Sequence, residues 1–184
     1  MKLLLVILIL VLLALALLRM LVGFHTQRAS HYEETGPTFD LRKHLSGEML
    51  SEGMIYGPRG HVSSRFVARM VGTWDGITGV LTEDFTYAGS GQTQARRWSL
   101  TLGENGKFTA TAPDVIGVAE GEMSGATVRL TYRIKLLEDA GGHVLDVTDW
   151  MYLMENGTIM NRSEMRKFGV KVAELIATIR PVPQ

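Results

Sequence analysis

The residues best suited to chemistry lie close together near the end of the chain, around an Asn-Gly turn at 156–157. Asp149 precedes this turn, and Asn161 and Ser163 follow it. If the flanking segments pair as a hairpin whose loop holds the glycine in a left-handed conformation, Asp149 faces Ser163, and Asn161 lies beside Met151. The sequence therefore predicts three polar side chains on one otherwise apolar face.

A carboxyl, an amide and a hydroxyl group on an apolar wall need partners, because burying each of them unpaired costs about 1–3 kcal/mol. Such a cluster is suited to hold the polar group of a small molecule whose remaining surface is apolar. Two other interpretations stay open. The three groups can satisfy one another and fix the hairpin register, or a dry environment can raise the pKa of Asp149 so that it acts as an acid or base.

The opposite face of the same hairpin places Trp150 beside Arg162, a pair suited to a cation–π contact. This pair could receive an anionic head group at the edge of the barrel, or it could lie on the solvent-exposed surface. The candidate ligand-binding residues are therefore Asp149, Trp150, Met151, Asn161, Arg162 and Ser163. Asp149 is also the one candidate for a catalytic role, although the sequence favours binding over catalysis.

Other chemical functions find little support in the 184 residues. The chain has no cysteine, which excludes thiolate nucleophiles, thiolate zinc sites and disulfides. The five histidines lack the spacing of metal ligands, and no glycine-rich nucleotide loop is present. Nineteen basic residues balance nineteen acidic ones, without the basic excess that nucleic-acid binding requires. We therefore expect no cofactor, no metal and no nucleic-acid partner.

Short segments of alternating apolar and polar residues, separated by glycine-containing turns, must position these candidates. The segments span 47–56, 61–71, 78–87, 93–102, 107–112, 115–123, 128–136, 143–154, 158–167 and 170–180, of which the last could instead be a short helix. A long antiparallel meander removes its open edges by closing on itself. The sequence thus predicts an all-β, lipocalin-like barrel of about ten strands, with a β-sandwich as the alternative.

The N-terminus begins with Met1-Lys2 and continues with an uninterrupted apolar run from Leu3 to Leu18. Arg19 interrupts the run, and apolar residues then continue to Phe24. This length is suited to a transmembrane or signal-anchor helix, with a cleaved signal peptide as the alternative. We assign residues 1–24 to this anchor, 25–44 to a polar linker and 45–184 to the barrel. The signal-like arrangement favours an inner-membrane protein whose barrel faces the periplasm.

A series of short motifs resembles a proteobacterial lipoprotein family that contains a domain of unknown function. The motifs are Gly72-Thr73-Trp74-Asp75-Gly76, Glu83-Asp84-Phe85, Trp98, Asp149-Trp150-Met151-Tyr152, Asn161-Arg162 and Lys167-Phe168-Gly169. The resemblance covers nearly all of residues 39–180 and implies a lipocalin-like, calycin-type barrel in the cell envelope, but no activity. Many members of the family carry a lipidated cysteine, and in this chain the apolar anchor would replace the lipid.

These features together predict a membrane-anchored envelope protein that binds an apolar or amphipathic, lipid-like small molecule inside its barrel. One alternative is a barrel filled by side chains such as Trp74, Trp98, Phe66 and Phe85, which would act as a scaffold for another envelope protein. A second alternative, from a different class, is an enzyme that uses Asp149 for proton transfer.

Overall fold

The computed structural model describes residues 2–138 and 141–183. A helical N-terminal segment is followed by ten strands that form one closed antiparallel barrel. The strands are β1 (Gly47–Tyr56), β2 (Val62–Asp75), β3 (Thr78–Tyr87), β4 (Thr93–Leu102), β5 (Lys107–Thr111), β6 (Ala119–Ser124), β7 (Thr127–Lys135), β8 (Val144–Leu153), β9 (Ile159–Lys167) and β10 (Val170–Pro181).

Each strand pairs with its neighbour in the chain, and β1 closes the barrel by pairing with β10. The predicted all-β barrel of about ten strands is therefore confirmed, and the final segment is a strand because both of its edges are paired. The clearest boundary error is at β6, which begins at Ala119 rather than residue 115. Pro113 cannot donate a ladder hydrogen bond, and in the following loop Val115 makes only an isolated bridge to Ile134.

The alternation of side chains decides what faces the interior. On β2, Phe66, Ala68 and Met70 are buried, whereas the residues between them are exposed. Gly53 and Gly121 make room for the aromatic rings inside, since a Cβ atom at either position would overlap the ring of Phe66 or Phe108. The interior wall is therefore built from apolar side chains, with glycine opposite the largest of them.

A short helix, α2 (Leu41–His44), closes one end of the barrel, which we call the base. Leu41 is 0% exposed, and Phe39 and Leu45 are buried beside it in the main core. Asp40 caps this helix by accepting a hydrogen bond from the Arg42 backbone at 2.9 Å. The other end of the barrel, formed by the loops that follow β1, β3, β5, β7 and β9, is called the open end.

Residues 24–35 pack on the outer face of the barrel. The Ser124 hydroxyl donates to the Ala29 carbonyl at 2.7 Å, and the Ala126 amide donates to Thr35 Oγ1 at 3.0 Å. The Tyr32 ring lies 5.3 Å from the Trp150 ring. The segment 25–44, expected as a polar linker, is thus held against the barrel and also supplies its base.

The N-terminal helix α1 (Lys2–Leu21) lies where an anchor helix was expected. The apolar side chains of α1 that the structure describes are exposed, among them Leu3 at 73% and Leu21 at 66%. Within the described residues, however, no helix combines the length and apolar character that a membrane span needs. The prediction of a helix here is confirmed, and its assignment as a transmembrane span is corrected.

Candidate functional site

The barrel encloses a cavity of about 710 Å³ that reaches from the open end down to Leu41 and Leu45 at the base. This volume is within the range of sites for small organic ligands, roughly 300–1,000 Å³. The scaffold alternative requires a barrel interior that is filled by side chains. The structure instead contains this cavity, so it does not support that alternative. Most of the wall is apolar, and the polar groups on it fall into two clusters.

The first cluster is the one that the sequence indicates. The β8–β9 hairpin pairs Asp149 with Ser163 and Met151 with Asn161, and Gly157 in its loop has a left-handed φ of 81°. The predicted register is therefore confirmed. All four of the paired side chains line the cavity.

The carboxyl group of Asp149 is poorly suited to carry a charge in this position. Burial raises its pKa, and polar contacts from Ser163 and Tyr132, with the more distant charge of Arg96, offset only part of this effect. The Asn161 amide is also engaged elsewhere, because its Nδ2 donates to the Trp150 carbonyl at 3.2 Å. Asn161 also contacts the Asp149 carboxyl, so the three polar groups partly satisfy one another while they line the cavity.

Two of the six candidates, Trp150 and Arg162, do not line the cavity. They pair with each other on the outer face of β8 and β9, as the register requires. Trp150 is only 1% exposed, because the N-terminal segment covers it. Arg162 binds Glu174 at 2.7 Å and lies 4.7 Å from the Phe24 ring centre. The structure therefore does not bring these two candidates to the cavity with Asp149; they contact the N-terminal segment instead.

A second polar cluster, which the sequence analysis missed, lies on the wall formed by β3 and β4. Arg96 donates from Nε and Nη2 to Asp114 Oδ2 at 2.9 and 2.6 Å. Its Nη1 lies 3.9 Å from Glu83 Oε2, which also accepts a bond of 3.3 Å from Trp98 Nε1. All four side chains line the cavity.

The pKa of Glu83 is strongly shifted. Burial raises its pKa to about 7, and the charges of Asp149 and Asp114 act in the same direction. The positive charge of Arg96 and the bond from Trp98 oppose this rise without cancelling it. Glu83 therefore changes protonation close to neutral pH, which neither a core residue nor a surface carboxylate normally does.

A signal for part of this cluster exists in the sequence. Arg96 shares the inward face of β4 with Trp98 and Leu100, and Glu83 lies between Leu81 and Phe85 on the inward face of β3. A charged residue at an inward position of an alternating strand indicates a buried polar site. Asp114 could not be found in this way, because it belongs to the loop between β5 and β6.

The two polar clusters meet across the barrel. By strand order, β3 and β8 are on opposite walls, five strands apart in either direction. The rings of Trp98 and Tyr132 approach edge-on, with their centres 5.3 Å apart. Among the described residues, no three His, Asp or Glu side chains are grouped closely enough to hold a metal ion. The site is thus an apolar cavity crossed at one level by carboxyl groups, one arginine and aromatic rings.

Comparison with known proteins supports the fold and the family. The crystal structure of Rv2717c from M. tuberculosis superposes with a TM-score of 0.57 and 12% sequence identity, covering 82% of this chain and 100% of that one. At this identity the likeness concerns the fold alone. No curated protein is significantly similar in sequence. The family described as "Protein of unknown function (DUF3833)" matches residues 18–181, and the chain belongs to this family.

Proposed function

We propose that the barrel binds an apolar or amphipathic, lipid-like small molecule inside its cavity. The observation that carries this proposal is the cavity of about 710 Å³ itself, which is open at one end and walled mainly by apolar side chains. An empty apolar space of this size forfeits packing contacts that a ligand would restore. Asp149, Asn161 and Ser163, with Met151 beside them, are the polar end of the site on the β8–β9 wall.

A variant that fills the cavity tests the proposal. Ala173 lines the cavity on β10, so Ala173→Trp should occupy ligand space. Ala95→Trp adds the same side chain at an exposed position of β4 and is the matched control. The full chain is expressed in bacteria and purified gently, and native mass spectrometry with lipid extraction detects bound molecules. We expect one bound molecule in the wild type and Ala95→Trp, and none in Ala173→Trp; a ligand-free wild type from repeated preparations contradicts the proposal.

We further propose that the protein contacts a membrane, with its barrel on the periplasmic side of the inner membrane. Two features support this location. The described apolar side chains of α1 are exposed, and the chain leaves α1 near the open end, where His25 lies 3.5 Å from Arg166. A membrane beside the open end would bring lipid-like molecules to the mouth of the cavity. Fractionation of the full chain, followed by protease digestion of spheroplasts, tests this arrangement: protection of the barrel contradicts it.

Acid–base catalysis by Asp149 is the second candidate function. Burial raises the pKa of this carboxyl, which lies next to Tyr132 and Ser163, and a raised pKa favours a role in proton transfer. Asp149→Asn keeps the shape of the side chain and removes its acid–base capacity. If a deletion strain has a phenotype, catalysis predicts that Asp149→Asn fails to rescue it although the variant still binds ligand. Full rescue contradicts catalysis and leaves binding.

A further inference from the structure

The two polar clusters of the cavity contain more negative than positive groups. Glu83, Asp114 and Asp149 are three carboxyl groups, and among the described residues Arg96 is the guanidinium that faces them. The other basic residue of the lining, Lys135, lies at the end of β7 beside the open-end loop, where it pairs with Glu138 at 3.2 Å. Two hydrogen bonds from Arg96 already go to Asp114, so the positive charge is balanced within the wall. Glu83 has only the longer contact of 3.9 Å to Arg96, and Asp149 forms no ion pair with any described residue.

One carboxylate oxygen of this site also lacks a hydrogen-bond donor among the described residues. Asp114 Oδ1 is buried and accepts no hydrogen bond from any described residue. A buried acceptor of this kind costs free energy unless a donor reaches it. Asp114 therefore keeps one unpaired carboxylate oxygen beside Arg96, which adds to the excess of negative over positive groups in this wall.

Aromatic rings also line the cavity. Trp98 and Tyr132 meet edge-on, and Phe66, Phe85 and Tyr87 form a second group in which the Phe66 and Phe85 rings are 5.3 Å apart. Carboxylates together with aromatic faces are the combination that proteins use to recognise ammonium groups, because the ring quadrupole attracts a cation. An anionic head group would instead face Glu83 and Asp149 and would have to displace Asp114 from Arg96.

We propose that the ligand of this barrel is an amphiphile with a positively charged amine, which Glu83 and Asp149 hold from opposite walls beside Trp98 and Tyr132. This inference rests on the proposed function, since it names the ligand class of the same cavity. The apolar remainder of the ligand would lie against the wall on either side of the polar level. Glu83 and Asp149 attract the positive charge, and a bound ammonium group in turn favours the ionised form of Asp149, which burial alone disfavours.

Three probes of equal chain length separate the ligand classes: octylamine, octanoate and octanol. The full chain, kept in solution with a nonionic amphipol, is titrated with each probe by calorimetry at pH 8. We expect octylamine to bind at least about tenfold more tightly than the other two, which is the value of one charge-assisted hydrogen bond. Glu83→Gln and Asp149→Asn should each remove most of this preference while octanol still binds. Asp84→Asn, an exposed neighbour on β3, is the matched control and should change nothing.

The dependence on pH gives a second readout. The amine stays protonated between pH 5.5 and 8, as a lysine side chain does, whereas Glu83 with its pKa of about 7 gains its negative charge over this interval. The other charged or titratable groups at this level are Arg96, Asp114, Tyr132, Tyr87 and Asp149. Affinity for octylamine should therefore rise with pH through 7 in the wild type, and it should rise less in Glu83→Gln.

Each result bears on the inference in a defined way. Preference for octanoate, or equal affinity for all three probes, overturns the amine assignment but leaves a ligand-binding barrel. Binding of none of the probes overturns both this inference and the proposed function. Continued binding of octanol by Glu83→Gln and Asp149→Asn shows that these variants are folded, so a lost preference for octylamine is attributable to the missing charge.

Discussion

At the scale of single residues, the interior of this barrel is notable for carboxyl groups that burial keeps from ionising easily. Glu83 has a pKa of about 7, and the pKa of Asp149 is also raised. A protein accepts such groups at the expense of stability, which favours a role in binding or chemistry over a role in packing. Two predictions follow from the positions of these charges.

Glu83 should make the protein less stable as the pH rises. Its pKa is raised from the ordinary value of 4.5 to about 7, so the folded form holds the proton to higher pH than the unfolded form does. The contribution is fully present below pH 4.5 and is lost as the pH passes 7, a fall of about 2–3 kcal/mol in the free energy of unfolding. Chemical denaturation of the full chain at pH 4.5–8 measures it. Glu83→Gln should flatten the curve and Asp84→Asn should not; an equally steep curve in Glu83→Gln contradicts the buried acid.

Arg96 should be required for stability because it faces two carboxylates. Arg96→Gln leaves Asp114 and Glu83 without their positive partner, and breaking a buried pair in this way costs about 3–5 kcal/mol. The exposed neighbour Arg97→Gln, the control, should change the free energy of unfolding by less than about 0.5 kcal/mol. Adding Asp114→Asn to Arg96→Gln should recover part of the loss. If the double variant is no more stable than Arg96→Gln alone, the charge explanation is wrong.

At this scale the sequence predicted half of the polar site. The hairpin register followed from the glycine in its loop and from the apolar face, so Asp149, Asn161 and Ser163 were placed correctly. Glu83 and Arg96 were missed although both occupy inward positions, because a charged residue in a strand is by default assigned to the solvent side. The position of Asp114 depends on how the loop between β5 and β6 folds at the open end, and the alternation of residues along a strand does not predict the fold of a loop.

At the scale of elements, the Gly72-Thr73-Trp74 motif explains how the base of the barrel is closed. A Cβ atom at residue 72 would collide with the Leu45 carbonyl, so only glycine allows the chain after α2 to approach β2 this closely. Trp74 Nε1 then donates to the same carbonyl at 2.9 Å. The motif is thus a docking point for the segment that carries Leu41 into the core.

Gly72→Ala should therefore loosen the base of the barrel. We expect a loss of about 1–3 kcal/mol from the free energy of unfolding, as for other overpacked buried positions. Hydrogen exchange of the Leu45 amide, which donates to the Leu41 carbonyl at 2.9 Å, should become faster. Gly57→Ala is the control, because a Cβ atom there meets only ordinary contacts at 3.9 Å. Unchanged exchange at Leu45 would show that the chain after α2 does not depend on Gly72.

The strands were easier to predict than the N-terminal segment, and the reason is physical. Turns and alternation are local, so the ten strand positions follow from residues a few places apart. Burial of Trp150 depends on Tyr32, more than a hundred residues away, and on a surface that exists only after the barrel closes. Residues 25–44 show no period of their own, because their packing is dictated by the barrel surface.

At the scale of the whole molecule, exposed apolar side chains are concentrated at the open end. Those on or beside the loops of this end are Val62, Ile116, Val118, Leu137, Val144, Phe168 and Val170, whereas the turns at the base expose Ile77 and Met154. An apolar rim around the mouth of a lipid-binding cavity is what passage of a ligand from a bilayer would need. We therefore propose that this apolar rim and α1 contact the same membrane.

Phe168 is the sharpest test of this arrangement. It is 91% exposed in the two-residue turn between β9 and β10, with φ values of 50° at Phe168 and 78° at Gly169. Such a turn prefers asparagine at its first position, so an exposed phenylalanine there is unfavourable both for conformation and for solvation. Contact with the apolar part of a membrane would offset the cost of solvation, which gives this residue a reason to be where it is.

The absence of cysteine makes the test direct, because a single introduced cysteine can be labelled without background. Phe168→Cys and, at the base, Ile77→Cys are each labelled with an environment-sensitive fluorophore in the full chain. On transfer from amphipol to vesicles of phosphatidylethanolamine and phosphatidylglycerol, the label at 168 should shift to shorter wavelength, and a quencher in the acyl chains should reduce its emission. The label at 77 should remain as in water. Equal responses at the two ends would mean that the open end does not face the membrane, and that a ligand must reach the cavity through solvent.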